Sequence, residues 1–177
     1  PQVLEENQKD MQSLDAFVKF LMFNEKEISK FSKITEEICL YLDNYNFANL
    51  LSEIVKIEGL KRLRISSIEI TEITDEILNI IALNNIIVDH LHVPLQSGSD
   101  AILKLMNRKY DKKYFQDKIE SIRKIRPNIS ITTDVITGFP GETDELFTEA
   151  YDFIKEIGFT KLHVFPYSRR KGTKADL

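Results

Sequence analysis

The chain has 177 residues, 42% hydrophobic and 29% charged, which sets it among ordinary globular chains and apart from low-complexity or fibrous ones. A formal net charge of −4 carries no overall nucleic-acid signal, so contact with a polyanion has to come from a local patch. The apolar runs "AFVKFLMF" and "NIIALNNIIV" fall short of the roughly 20 residues that span a bilayer, and a lone Cys39 excludes an internal disulfide and points to a reducing cytoplasm. No signal peptide is legible, and a start at Pro1 without a methionine reads as a piece of a longer chain.

Residues 1–34 are mostly helical in character and read as the remnant of a preceding domain or as an N-terminal extension, with a second domain over 35–177. From about Thr35 onward, short β-rich runs alternate with amphipathic helical patterns. Strands are expected at "EICLYL" (37–42), "RLRISSI" (62–68), "VDHLHVPL" (88–95), "ISITTDVIT" (129–137) and "KLHVFPY" (161–167). Helices are expected at about 47–57, 74–84, 99–106, 111–125 and 143–157. In the first of these, Phe47, Leu50, Leu51, Ile54 and Val55 form one apolar stripe. Thr74 and Thr143 are natural N-caps, each followed by two acidic residues that complement the helix dipole. Gly59 and Gly158 sit where α/β units stop a helix. Strands separated by crossover helices pair in parallel, in an α/β sheet that is either open or closed into a barrel.

In parallel α/β architecture, sites form at the C-terminal ends of the strands. That rule selects "LDNYN", "SSIEI", "PLQSGSD", "TGFPGET" and "PYSRRKGT", all polar or rich in glycine and proline. Gly138 and Gly141 mark a tight turn or a close approach to a ligand; a plain turn capped by Thr143 explains the same residues. The acids Glu142, Asp144 and Glu145 disfavour phosphate there and suit a ligand with amino or amide donors, or an adenine read by backbone groups. Gln96, Ser97 and Ser99 offer hydrogen bonds, and Ser99 or Asp100 also serves as a helix cap. Ser66 and Ser67 alternate faces, so one of them points inward, and Glu69 follows as a carboxylate near the same mouth.

His90 and His92 share a strand face, which could suit a metal, but with no third ligand in evidence they read as half-buried strand histidines and no metal site is expected. There is no G-x-S-x-G elbow, Walker loop or G-x-G-x-x-G. Between Lys104 and Arg126 stand nine basic residues against three acids, and Arg169, Arg170, Lys171 and Lys174 form a second basic cluster. Two such clusters beside a mouth suit RNA, or are charged helix faces in water.

Over roughly residues 36–176 the chain resembles the radical-SAM methylthiotransferases. The resemblance is carried by "LHVPLQSGSDAILKLMNRKY" and by "ITTDVITGFPGETDELFTEAYDFIKEIGFTKLHVFPYSRRKGTKA". "RISSIEI" and "HVFPYSRRKGT" look most like the branch that acts on N6-threonylcarbamoyladenosine in tRNA. The resemblance implies an α/β fold: an incomplete parallel (β/α)6 barrel, strands two to six, behind a short N-terminal remnant. It implies S-adenosylmethionine, 4Fe-4S clusters, a flavodoxin- or ferredoxin-type reductant and tRNA as partner. The implied chemistry is hydrogen abstraction from adenine C2 by a 5′-deoxyadenosyl radical, followed by methylthio insertion. Cofactor-contacting positions carried over are Ser66, Ser67, Glu69, Gln96, Ser97, Asp134, Ile136, Gly138, Phe165 and Tyr167. RNA-contacting candidates are Lys109, Lys112, Lys113, Arg169 and Arg170.

One departure is severe. The family holds its cluster through CxxxCxxC after the first barrel strand, and this sequence has no such motif; Cys39 stands alone in what resembles the second strand. The first strand and its cysteine loop are missing between about Ile34 and Glu36, while "LDAFVKFLMFNEKEISKF" faintly resembles the end of the family's N-terminal domain. The chain is therefore expected to be inactive by itself; the alternatives are a non-catalytic nucleotide- or RNA-binding relative and a radical-SAM enzyme with another substrate.

Overall fold

In the computed structural model, residues 46–173 and 175 are described. The expectations for residues 1–34, for the strand at 37–42, for the loop that follows it, for Cys39 and for the junction near 34–36 lie outside them. The chain divides into two compact units, Pro1–Ile57 and Glu58–Leu177. The described part of the first is helix α1, Phe47–Ile54, which begins at a reciprocal capping box. Asn46 Oδ1 accepts from the Asn49 N–H, and Asn49 Oδ1 accepts from the Asn46 N–H, each at 3.0 Å.

The second unit runs α2 (Asp75–Leu83), β1 (His90–His92), α3 (Asp100–Leu105), α4 (Lys112–Ile125), β2 (Ser130–Thr137), α5 (Asp144–Ile157) and β3 (Lys161–Pro166). The strands form one parallel sheet in the order β1-β2-β3, as the crossover helices require. Helix bounds follow from local chemistry. The Thr74 hydroxyl accepts from the Ile77 N–H, the Asp111 carboxylate from the Tyr114 N–H, and the Thr143 hydroxyl from the Leu146 N–H. Gly158 closes α5 in the left-handed region, at φ 66°, a conformation a side chain would disfavour.

The strand expected over 62–68 is reduced to two anchor points. Leu63 bridges Ile87, and the Ile68 N–H donates to His92 O at 3.0 Å. Between these points the backbone leaves the ladder, with Ser66 and Ser67 both exposed while Ile65 and Ile68 are buried. The expectation that one of the two serines turns inward is therefore corrected: the two isoleucines take the inward positions. The strand expected over 88–95 is likewise short, because Pro94 has no N–H to give the ladder; pairing resumes as a bridge from Gln96 to Val135.

The core lies between the helices and one face of the sheet. Leu91, Val93, Leu95, Ile102, Leu103, Phe115, Ile119, Ile122 and Ile131 are all 1% exposed or less. At the sheet edge, Leu162 and Val164 of β3 are 39% and 58% exposed, so the apolar face is left open beside α5. Backbone polarity is satisfied inside this core by threonine and tyrosine. Thr133 Oγ1 accepts from the Leu95 N–H at 2.9 Å and donates to Val93 O at 2.7 Å. Tyr110 Oη donates to Leu95 O at 3.0 Å, and burial, with Glu69 nearby, pushes its pKa up to about 12, so it stays a donor. Both polar groups of Leu95 are thus fixed one residue before Gln96.

The "QSGSD" turn is clasped by α5. A Cβ on Gly98 would stand 2.5 Å from Ala150 O and 2.8 Å from Ala150 Cα, so the glycine is required by close backbone approach. Beside it, Ser99 Oγ donates to Glu149 Oε2 at 2.8 Å, and Lys112 Nζ donates to Glu149 Oε1. Ser99 occupies the cap position of α3 but makes no capping hydrogen bond, and Asp100 accepts from the Lys112 N–H instead. The two residues expected to cap that helix fasten it to α5 and α4.

Replacing Gly98 with Ala should lower unfolding stability by about 1–3 kcal/mol, the usual cost of overpacking, read by urea denaturation. A change under about 0.5 kcal/mol, the scale of an ordinary surface substitution, would mean that α5 yields freely. The hydrogen bond from Lys112, aided by that from Ser99, holds the Glu149 carboxyl below its ordinary value against the opposing effect of burial. A depressed folded-state pKa gives stability that is complete above the unfolded value and is lost as pH falls through the folded one. Acid titration of stability should therefore show a decline below about pH 4.5, the ordinary value, and the decline should be shallower in Glu149→Gln.

Candidate functional site

Two groups of side chains converge on the sheet, one across its polar face and one at the C-terminal ends of its strands. The parallel register sets His92 beside Thr132 and Asp134 beside His163. His92 Nε2 lies 3.2 Å from Asp134 Oδ2, and His163 Nδ1 lies 3.2 Å from Asp134 Oδ1. The two imidazoles stack, with centroids 5.7 Å apart. Thr132 Oγ1 stands 2.9 Å from His92 Nδ1 and 3.2 Å from His90 Nε2. Arg64 Nη2, which can only donate, reaches His90 Nε2 at 3.3 Å.

His90 is held below its ordinary pKa first by burial, then by the Arg64 and His92 charges, so it is neutral at neutral pH. The sequence paired His90 with His92 and found no third ligand. The sheet instead pairs His92 with His163 across Asp134, and one candidate ligand atom from each of the three lies within 4.8 Å of the others. Strand parity placed His90 and His92 on one face; only the register between strands brings His163 to it.

At the mouth, Gln96 has φ 69°, a left-handed backbone that an unbranched polar residue adopts at a cost. It is held there on both sides. Its N–H donates to Asp134 O at 2.9 Å, and its carbonyl accepts from the Ile136 N–H at 2.8 Å. Gly138 (φ 72°) follows β2 with open space where a Cβ would be, so its backbone conformation requires glycine while the space beside it stays free. Glu142 folds back so that its carboxylate accepts from the Gly138 N–H. Phe139 meets Tyr167 edge to face at 5.1 Å, and the Tyr167 N–H donates to Thr137 O, extending the β2–β3 pairing past Pro166.

Of the residues expected at the site, Gln96, Asp134, Ile136 and Phe165 are interlaced by the sheet, with Ile136 and Phe165 register partners. Gly138 and Tyr167 close the same end. Ser97 is 1% exposed, and its hydroxyl accepts from the Ser99 N–H at 3.2 Å, serving the turn. Glu69 accepts from Arg108 Nη1 at 3.2 Å. Phe139, Thr132 and His163 lie inside the quoted stretches but are not singled out there as site residues.

The basic stretch is largely occupied. Arg123 donates to Ile157 O and Gly158 O, and Arg126 to Ile81 O, Asn84 O and Asp89. Lys112 is held by Glu149 and lies 5.8 Å from the Phe153 ring, and Lys113 by Asp117. Lys109, Arg169 and Arg170 are exposed. Among the described residues no helix is long and apolar enough to cross a membrane.

This geometry agrees with what the chain is similar to. A solved structure of coproporphyrinogen III oxidase (HemN) from Escherichia coli, titled a radical SAM enzyme, matches 71% of this chain and 30% of its own at TM-score 0.58 and 21% identity, a likeness of fold. The threonylcarbamoyladenosine tRNA methylthiotransferase MtaB of Bacillus subtilis (strain 168) is 53% identical over 135 residues, 76% of this chain and 30% of that protein. The protein of the same name from Aquifex aeolicus (strain VF5) is 46% identical over 131 residues, 74% of this chain and 32% of its own. A tRNA-2-methylthio-N(6)-dimethylallyladenosine synthase from Desulfitobacterium hafniense (strain Y51) is 41% identical over 131 residues, 74% of this chain and 29% of its own. The chain thus spans about 30% of the length of these curated relatives. Residues 35–154 match the model of the radical SAM superfamily, and the chain belongs to that superfamily.

Proposed function

We propose that this chain is the barrel part of a tRNA methylthiotransferase that modifies C2 of N6-threonylcarbamoyladenosine. The observation that carries the reading is the 53% identity with MtaB, against 41% with the dimethylallyladenosine synthase. The mouth supports a nucleoside cofactor. Gly138 leaves open space, Phe139 and Tyr167 supply an aromatic wall, and Gln96 holds a polar side chain at a strained, doubly fixed backbone. Such groups suit S-adenosylmethionine, which when bound would supply the hydrogen-abstracting chemistry and the methyl group. Gln96, Asp134, Ile136, Gly138, Phe165 and Tyr167 would hold and orient it, with Ser66, Ser67, Glu69 and Ser97 at the margin.

The residues present do not fit a 4Fe-4S cluster, which takes several thiolates where this sequence has one cysteine. No step is routed through it, and the chain is proposed to be inactive without residues it does not contain. Lys109, Arg169 and Arg170 are the proposed phosphate contacts. Lys112 and Lys113 would have to leave Glu149 and Asp117 to join them. A flavodoxin- or ferredoxin-type reductant and a cytoplasmic location belong to the same reading.

Deleting the encoding gene from its host and analysing tRNA nucleosides by mass spectrometry tests the reading. The methylthio form of N6-threonylcarbamoyladenosine should vanish, its precursor should accumulate, and the dimethylallyl series should be unchanged. Loss confined to the dimethylallyl series would transfer the chain to the other branch, and no change in either would overturn the reading.

A further inference from the structure

The polar face of the sheet carries a donor set of which the proposed nucleoside mouth shares only Asp134. We propose that His92, Asp134 and His163 form a binding site for a divalent transition-metal cation of the Zn2+ or Fe2+ kind. This inference goes beyond the tRNA reading and does not rest on it.

Three facts carry it. First, the set has two imidazole nitrogens and one carboxylate, a combination that borderline metals favour and that hard cations such as Mg2+ do not. Second, the spacing is near that of a metal site, within a small side-chain adjustment. Ligands about 2.0–2.1 Å from a tetrahedral centre stand about 3.3 Å apart. Here both histidine nitrogens lie 3.2 Å from a carboxylate oxygen, and the three ligand atoms fall within 4.8 Å of one another. Third, His92 is already oriented from behind. Thr132 Oγ1, on a buried residue, stands 2.9 Å from Nδ1 and leaves Nε2 directed at Asp134, the support that metal-binding histidines use.

The site is open on one side. The His92 side chain is 15% exposed, Asp134 27% and His163 42%, so a bound ion would keep a position for water or a substrate atom. The set offers one carboxylate and two imidazoles, and a divalent cation complements the carboxylate. On the same face, Arg64 is engaged with His90, and Lys161 is the register partner of Thr132.

Titrating the 177-residue chain, carrying Cys39→Ser to remove the thiolate, with Zn2+ in a calorimeter tests the site. Co2+ serves as a spectroscopic probe through its visible d–d bands. One equivalent of Zn2+ should bind and raise the melting temperature. Asp134→Asn and His163→Ala should each weaken binding at least about tenfold and abolish the Co2+ bands, while His90→Ala retains both. Circular dichroism checks the fold, and His163→Ala is the decisive variant because its side chain is the most exposed of the three. No saturable uptake, or uptake unchanged in His163→Ala with the fold intact, overturns the proposal.

Discussion

Strand β2 is paired in parallel on both edges, and its register decides which side chains meet. His92 faces Thr132 because Leu91 faces Ile131, and Asp134 faces His163 because Thr133 faces Leu162. A slip of one residue on either side would turn the apolar row to the polar face and the imidazoles into the core. The register is pinned where the cost of error is high, by Ile131 and Leu91 at 1% exposure or less and by the buried Thr133 hydroxyl. The polar row is therefore a consequence of how the core packs, and its residues need not attract one another for it to form.

The mouth depends on the same pairing through the chain that leaves it. Gln96 continues the β1–β2 ladder after Pro94 has interrupted it, and does so at a left-handed φ. That conformation survives because Thr133 and Tyr110 hold Leu95, Asp134 O and the Ile136 N–H hold Gln96 itself, and Gly98 lies flat against Ala150. Strain at one residue persists when the surrounding contacts over-determine its backbone, as they do here. The charged residues around it serve a different end. Glu149, Lys112, Arg123 and Arg126 tie helix to helix and helix to strand, so most of the basic stretch is structural cement.

Much of this was legible in the sequence, and the reason differs by element. Helices α2, α4 and α5 announce themselves through a cap residue, an apolar period and a stop, all local signals, and their ends fall within a residue of expectation. Strand β2 was legible from its β-branched run, and β3 from its place just after the helix stop at Gly158. The strand expected at 62–68 was not, because composition cannot say whether a partner follows it; here the neighbour pairs only at Leu63 and near Ile68. At the site, Gln96, Gly138 and Tyr167 were legible as turn residues at strand ends. His163 was not, since its meeting with Asp134 is set by register between strands whose sequences lie far apart. Ser97 and Ser99 are ambiguous for a related reason: a hydroxyl in a turn reads alike whether it meets a ligand or satisfies a neighbour, as both do in this structure.

The two groups on the sheet make different demands on what lies outside this chain. The mouth is built from backbone conformation, glycines and an aromatic pair, and its shape is complete without any thiolate. A thiolate-ligated cluster makes another demand, since this sequence has one cysteine. The mouth is held by backbone pairing and packing within this unit. The His92–Asp134–His163 set is of the first kind: every ligand and the Thr132 support come from strands paired within one unit. Whatever it binds, its geometry is fixed by the register of β2.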